Sequence, residues 1–229
     1  MEERKGLREH KKDQTRKRLS DIALDMFEER GFDNVSVAEI AEAAEVSKKT
    51  VFNYFPTKED IVVGRGAHML SEPARLVRER PVGTTPLQVV HEHMIDLIKR
   101  HHPMTGLTNH PIMKRVRKLI TENPSLALRS MRHREHAKHL LAEALVDEGA
   151  EEFTARFLAN TIMEATHTVF VENFRQMFCE GVTFDVDAME KRSLAKVHQA
   201  FSWLEDGMGH LMRRQEPASA SSGSKVACG

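Results

Sequence analysis

Between Lys11 and Arg30 the apolar residues Leu19, Ile22, Ala23, Met26 and Phe27 recur at i, i+3, i+4, i+7 and i+8. That stripe predicts a helix with one face laid on a core, and Gly31 ends it as a C-cap glycine. Ser36-Val37-Ala38-Glu39 then reads as a capping box, in which Ser36 meets the N3 amide and Glu39 reaches back. The short helix it opens would bury Val37, Ile40, Ala41 and Ala44. Ser47 caps a second short helix over Lys48 to Phe55, and Pro56 closes it by biasing the preceding residue away from the α region. Thr57-Lys58-Glu59-Asp60 opens a fourth helix with an N-cap residue and acids in the first turn.

Past about residue 62 the pattern lengthens. Thr85-Pro86, His110-Pro111 and Asn123-Pro124 each pair an N-cap residue with proline at the first helical position. They predict helices over 86–101, 111–122 and 124–148. A further helix is predicted from Glu151 to Cys179, stopped by Gly181, and Asp185 caps a last one to Leu211. From Arg213 the chain turns to small polar residues that cannot build a core. The expected organisation is all-α: a three-helix helix-turn-helix domain over 1–62, a larger helical domain over 63–212, and a disordered tail over 213–229.

Composition supports that class. Hydrophobic residues make up 40% of the chain and charged ones 30%, and β-branched runs bounded by turns are absent. Two cysteines, Cys179 and Cys228, have no metal-knuckle spacing and point to a reducing compartment. No apolar stretch follows Met1-Glu2-Glu3-Arg4-Lys5, and no run of about 18 apolar residues occurs. The expectation is a cytoplasmic protein with no membrane partner. Net charge is zero, yet residues 1–20 carry eight Lys or Arg against four acids. Such an excess is either a solvated arm or one edge of a nucleic-acid footprint.

Two short helices held against a longer first helix make the helix-turn-helix geometry, whose second helix offers its N-terminal side chains to the major groove. On Ser47-Lys48-Lys49-Thr50-Val51-Phe52-Asn53-Tyr54-Phe55, Val51 and Phe55 lie at i, i+4 and can face a core. Lys48, Lys49, Phe52 and Asn53 then point outward. Ammonium groups suit phosphates or guanine, an amide suits adenine, and a ring suits a thymine methyl. The same residues would also serve a capped, solvated helix in an ordinary bundle.

The run from Val37 to Ile61, with VAEIAEAAEVSKKTVFNYFPTKEDI, resembles the DNA-binding signature of the tetracycline-repressor (TetR) family. The likeness extends from about Thr15 to Val63. It implies a dimeric, ligand-responsive regulator of double-stranded DNA with a near-palindromic operator, and no enzymatic role, catalytic residue or cofactor. By position, the resemblance assigns Ser36 to a phosphate contact, Ser47 to the recognition-helix start, and Lys48, Lys49, Thr50, Phe52, Asn53 and Tyr54 to bases and backbone. Lys58 matches a phosphate-binding lysine. Phe52 departs from the usual tyrosine and Lys49 from a frequent glycine, so base preference does not carry over. Repressor and activator remain alternatives, as does a ligand-binding or enzymatic protein with a vestigial DNA-binding head.

Leu194, Val197, Phe201, Leu204 and Met208 are spaced 3, 4, 3, 4, a heptad seam for another helix. That partner is internal or a second copy; the family resemblance implies a homodimer built on the last two helices. Met94, Ile98, Met113, Val116, Ile120, Met131, Phe157, Thr161, Glu164, His167 and Phe174 are mostly apolar with a few polar groups, as a ligand pocket or an ordinary core would be. Residues Arg115 to Leu126 resemble the C-terminal domains of TetR-type regulators that bind acyl-CoA-like ligands. The expected effector is such a molecule or another small apolar metabolite. His133, His136 and His139 share a helix face, but carboxylate or cysteine support with zinc spacing is absent, so no metal is expected. No GxSxG, phosphate loop or dinucleotide fingerprint occurs.

Overall fold

The structure, a computed structural model, describes residues 2–108, 111–177 and 185–208. The side chains of Met177 and Met208, the predicted cap His110, the stop Gly181, both cysteines and the 213–229 tail lie outside the described residues. All the regular structure described is helical: α1 (Glu2–Arg30), α2 (Val37–Ala43), α3 (Lys48–Tyr54), α4 (Lys58–Glu79), α5 (Pro86–Lys99), α6 (Pro111–Glu122), α7 (Pro124–Val146), α8 (Glu152–Met177) and α9 (Val186–Met208). A 3₁₀ turn, Pro103–Thr105, follows α5. Among the described residues no helix is long and apolar enough to cross a membrane.

Most boundaries follow the caps. Ser36 and Glu39 form the reciprocal capping box of α2, and Thr85 with Gln88 does the same for α5, ahead of Pro86. Asp185 accepts from the Ala188 amide at 3.0 Å to open α9. Asn123 behaves differently: its side chain donates back to the Leu119 carbonyl at 2.7 Å, securing the end of α6 instead of capping α7. One helix is longer than its pattern suggests, and another runs through a proline. α1 begins at Glu2: its polar first half contains Gly6 but no proline to break the ladder. α4 runs on through Pro73, which removes one amide from the helical ladder.

The chain divides into two compact units. The first comprises Met1–Glu72 and Thr108–Ala137, the second Pro73–Leu107 and Lys138–Gly229. In the first, Leu19, Ala23, Leu24 and Phe27 of α1 meet Ile40 and Ala41 of α2, Val51 of α3, Phe55, and Ile61 and Val62 of α4. Phe27 and Phe32 pack at 4.9 Å between ring centroids. The Ser20 hydroxyl, fully buried, donates to the Ile61 carbonyl at 3.1 Å and so ties α1 to α4. Leu119 of α6 and Leu126 of α7 belong to this same core, with Ile112, Val116 and Ile120 packed against it. Arg115 of α6 adds ion pairs to Asp25 and Glu28 of α1 at 2.6 and 2.8 Å.

In the second unit α9 packs on α5 and α8. Val90, Met94, Leu97 and Ile98 of α5, Leu158, Ala159 and Ile162 of α8, and Val197 and Phe201 of α9 are all buried. His91 stacks on Phe201 at 4.8 Å and meets the edge of His198 at 5.0 Å. Burial, followed by the charge of His198, lowers the pKa of His91. The buried Asn173 donates to the Thr105 carbonyl at 2.8 Å and accepts from Ser193 at 2.7 Å, joining the 3₁₀ turn, α8 and α9.

Gly106 makes that junction possible. Its φ is +75°, and a Cβ there would lie 2.9 Å from the Phe174 backbone nitrogen. Gly106→Ala therefore meets both a left-handed backbone penalty of about 1–2 kcal/mol and a clash with helix backbone. We expect urea unfolding to show a loss of about 2 kcal/mol or more; a change under about 0.5 kcal/mol would contradict this packing.

Candidate nucleic-acid interface

The turn between α2 and α3 is compact. Glu45 takes a left-handed φ of 54°. The Glu45 and Val46 amides donate to Glu42 and Ala41 at 2.9 Å each, so the end of α2 is satisfied locally. Ser47 caps α3 by accepting from the Thr50 amide at 3.0 Å, and the two hydroxyls share a 2.8 Å bond. Val51 and Phe55 are at most 1% exposed. Helical geometry then decides the opposite face: Lys48, Lys49, Phe52 and Asn53 are exposed, and Thr50 is half-buried. Phe52 is an exposed aromatic at 42%, with the Lys48 ammonium 5.9 Å from its ring centre. Tyr54 is half-buried against the core, where its ring serves packing.

Several residues expected to meet phosphate have internal duties. Ser36 is exposed but engaged in its cap. Glu39, hydrogen-bonded by Arg30 and by Ser36, has its pKa lowered to about 2. Lys58 departs most from expectation. Its ammonium donates to the Phe32 and Val35 carbonyls at 2.7 and 2.9 Å and sits 4.2 Å from the centre of the Phe32 ring. Two of its three protons close the α1–α2 connection, which gives it a structural task.

The basic run of α1 is split in the same way. Arg16 donates to the Tyr54 carbonyl at 3.0 Å, with its guanidinium 5.3 Å from the centre of the Phe55 ring. Arg18 donates to the Ala44 carbonyl. These two arginines satisfy the C-terminal carbonyls of α3 and α2, a role favoured at the negative ends of helices. Lys11, Lys12 and Lys17 are exposed.

Asp60 is a buried acid that the sequence pattern does not single out. It is 3% exposed. Its carboxylate accepts from the Thr57 amide and hydroxyl at 3.2 and 2.9 Å, from Arg129 through Nε and Nη2 at 2.8 and 2.7 Å, and from His133 at 2.7 Å. Burial by itself raises the pKa, but bonds from Arg129, His133 and Thr57 outweigh it and hold the group at about 2. An ionised carboxylate only accepts, so His133 Nε2 carries the shared proton. An acid in the first turn of α4 is legible from its position; partners on α7 are not.

The expected pocket residues fall in both units. In the first, Val116 and Ile120 pack on the core, Met113 is half-buried and Met131 exposed. In the second, Met94 and Ile98 are buried in the core, while His167 and Phe174 are half-buried. Phe157, Thr161 and Glu164 do come together, with Asn160, Ala165, Thr168 and Leu204, along an open groove of about 460 Å³ on α8 and α9. Glu164 is ion-paired with Lys138 at 2.7 Å. Of the predicted α9 seam, Val197 and Phe201 point into the core of their own unit, Leu194 is half-buried and Leu204 lines the groove. Periodicity could not tell these roles apart. Among the described residues no group of three His, Cys, Asp or Glu is placed to hold a metal ion. His139 pairs with Glu143 at 3.2 Å.

A capped pair of short helices on a longer one, with one polar face outward, defines a helix-turn-helix domain. Residues 19–63 match the sequence model for bacterial regulatory proteins of the tetR family. This N-terminal domain belongs to the TetR family. The chain is 53% identical over 47 residues to the transcriptional regulator LuxR of Vibrio harveyi, covering 20% of this chain and 23% of that one. It is 34% identical over 85 residues to the regulator TcmR of Streptomyces glaucescens, covering 37% and 38% respectively. The matches therefore span well under half of these curated relatives. A solved structure of Thermus thermophilus FadR, a TetR-family repressor in complex with lauroyl-CoA, overlaps at TM-score 0.46 and 20% identity, covering 91% of this chain and 100% of that one.

Asp60 also makes acid stability predictable. Its ordinary pKa of 3.8 falls to about 2 on folding. Its contribution is then complete above about pH 4 and lost as pH falls through 2, a difference of about 2 kcal/mol. In urea titrations the gap in stability between the wild-type chain and Asp60→Asn should shrink over that window. A gap that stays constant from about pH 5 to about 2.5 would contradict the assignment.

Proposed function

We propose that this chain is a DNA-binding transcription regulator acting in the cytoplasm. In this reading residues 1–62 bind duplex DNA, and 63–212 hold the effector site and the dimer contact. The observation that carries the reading is the two-sidedness of α3, with Val51 and Phe55 in the core while Lys48, Lys49, Phe52 and Asn53 face solvent. Cationic, amide and aromatic side chains at the start of a presented helix are the chemistry that major-groove edges and phosphates select.

A homodimer supplies the second copy of that helix that a near-palindromic operator requires. Its contact would be the face of α8 and α9 carrying the groove. Phe153, Phe157, Thr161, Ala165 and Thr168 recur there at spacings of 4, 4, 4 and 3, one stripe of a helix. Phe153, Phe157 and Trp203 are 74%, 50% and 68% exposed. Covering the exposed part of each such ring contributes at most about 1.5–3 kcal/mol. This stripe, more than the buried Val197 and Phe201, is the self-complementary surface.

The action proposed is repression. A small, largely apolar effector, acyl-CoA-like or another apolar metabolite, binds the conformer with poorly spaced heads more tightly, and the difference in affinity drives release. Deletion of the gene followed by transcript measurement separates repression from activation by sign.

Two measurements test the core of the reading. Lys48→Glu with Lys49→Glu should weaken binding to a duplex selected by the wild-type protein from random sequence by about 100-fold or more. It should also flatten the salt dependence by about one unit for each phosphate no longer neutralised; unchanged DNA retention would overturn the role given to α3. Phe157→Glu with Leu204→Glu should convert a dimer to a monomer in sedimentation equilibrium, whereas a persistent dimer would place the contact elsewhere.

A further inference from the structure

The Asp60 cluster does more than bury a charge. The carboxylate that Arg129 grips through two nitrogens also accepts both the amide and the hydroxyl of Thr57. Thr57 Oγ1 in turn accepts from the Asp60 amide at 3.2 Å, closing a reciprocal cap at the start of α4. Only Pro56 separates that cap from Phe55, the last core anchor of α3. On the other side of Asp60, the Ile61 carbonyl is held by Ser20 of α1. The joint through which α3 enters α4 is therefore gripped at one carboxylate, and two of the three gripping side chains come from α7.

From this geometry we infer that Arg129 and His133 are positioning residues for DNA reading by α3. This rests on the function proposed above. A planar guanidinium bonded in parallel to both carboxylate oxygens fixes the direction of the acid as well as its place, and His133 adds a third constraint on Oδ1. Loosening either lets the Thr57 cap and the end of α3 rotate together. Phosphate contacts tolerate such a rotation, because Lys side chains are long and the backbone charge is continuous. Base contacts do not, since their hydrogen bonds depend on angle. The signature of positioning is therefore a loss confined to the specific complex. A head that had only become unstable would lose every DNA complex alike.

The full-length chain and Arg129→Met, Arg129→Lys, His133→Leu and His133→Gln are compared by fluorescence anisotropy. One probe is a duplex selected from random sequence by the wild-type protein; the other is a scrambled duplex of the same composition. Circular dichroism melts verify that each variant is folded at the assay temperature. Arg129→Met and His133→Leu should weaken the selected complex by about 10-fold or more while the scrambled complex stays within about 2-fold. His133→Gln, whose amide nitrogen can replace Nε2–H, should stay within about 3-fold of wild type. Arg129→Lys keeps the charge but loses the paired bond, so it should fall between wild type and Arg129→Met, and it carries the arginine arm if the methionine variant does not fold. Wild-type affinity in the Leu and Met variants, or equal loss from both duplexes, would overturn the inference and leave the α3 reading intact. Failure of the wild-type protein to select any sequence would overturn both.

Discussion

A helix of seven residues closes too few hydrogen bonds to offset the ordering of its own backbone in water. α3 exists because the core it shares with α1, α2 and the start of α4 takes Val51 and Phe55, and because Ser47 supplies the missing acceptor at its first turn. Once those two side chains are committed inward, the helical repeat leaves no choice about what faces out. Stability and presentation are thus one constraint. The residues that make α3 a helix are the ones that aim Lys48, Lys49, Phe52 and Asn53 at solvent.

Several cations of the first unit are committed to acceptors at the ends of its helices. Arg16 and Arg18 hold the final carbonyls of α3 and α2, Lys58 holds those of the α1–α2 connection, and Arg129 holds the acid at the head of α4. Each cation sits where acceptors would otherwise be left unsatisfied, so the short helices are locked at their ends as well as along their sides. A count of basic residues near the N-terminus overstates the side chains free to reach a partner, because Arg16 and Arg18 are already bound to carbonyl oxygen.

Local chemistry was largely legible in the sequence. The caps at Ser36, Ser47 and Thr85, the prolines opening α5, α6 and α7, and the split of α3 into buried and exposed faces all depend on residues within one or two turns of each other. What could not be read was which surface a buried face meets. The stripe in α6 and the start of α7 looked like part of a ligand-holding domain, yet Leu119 and Leu126 complete the core around α1. Asp60 looked like a first-turn acid of the usual kind, while its partners lie 69 and 73 residues further along. The periodicity of α9 is silent on whether the matching helix is in the same chain, and Val197 and Phe201 are buried within their own unit.

α4 contributes residues to both compact units, and the division falls between Glu72 and Pro73. Proline there has no amide to give the Met69 carbonyl, so the ladder of α4 lacks a rung at the place where the chain passes from one unit to the other. A rod missing one rung is least stiff across it. Bending imposed on α4 will therefore concentrate at that step, sparing the capped segment from Lys58 onward, much as a score line decides where a sheet of card folds.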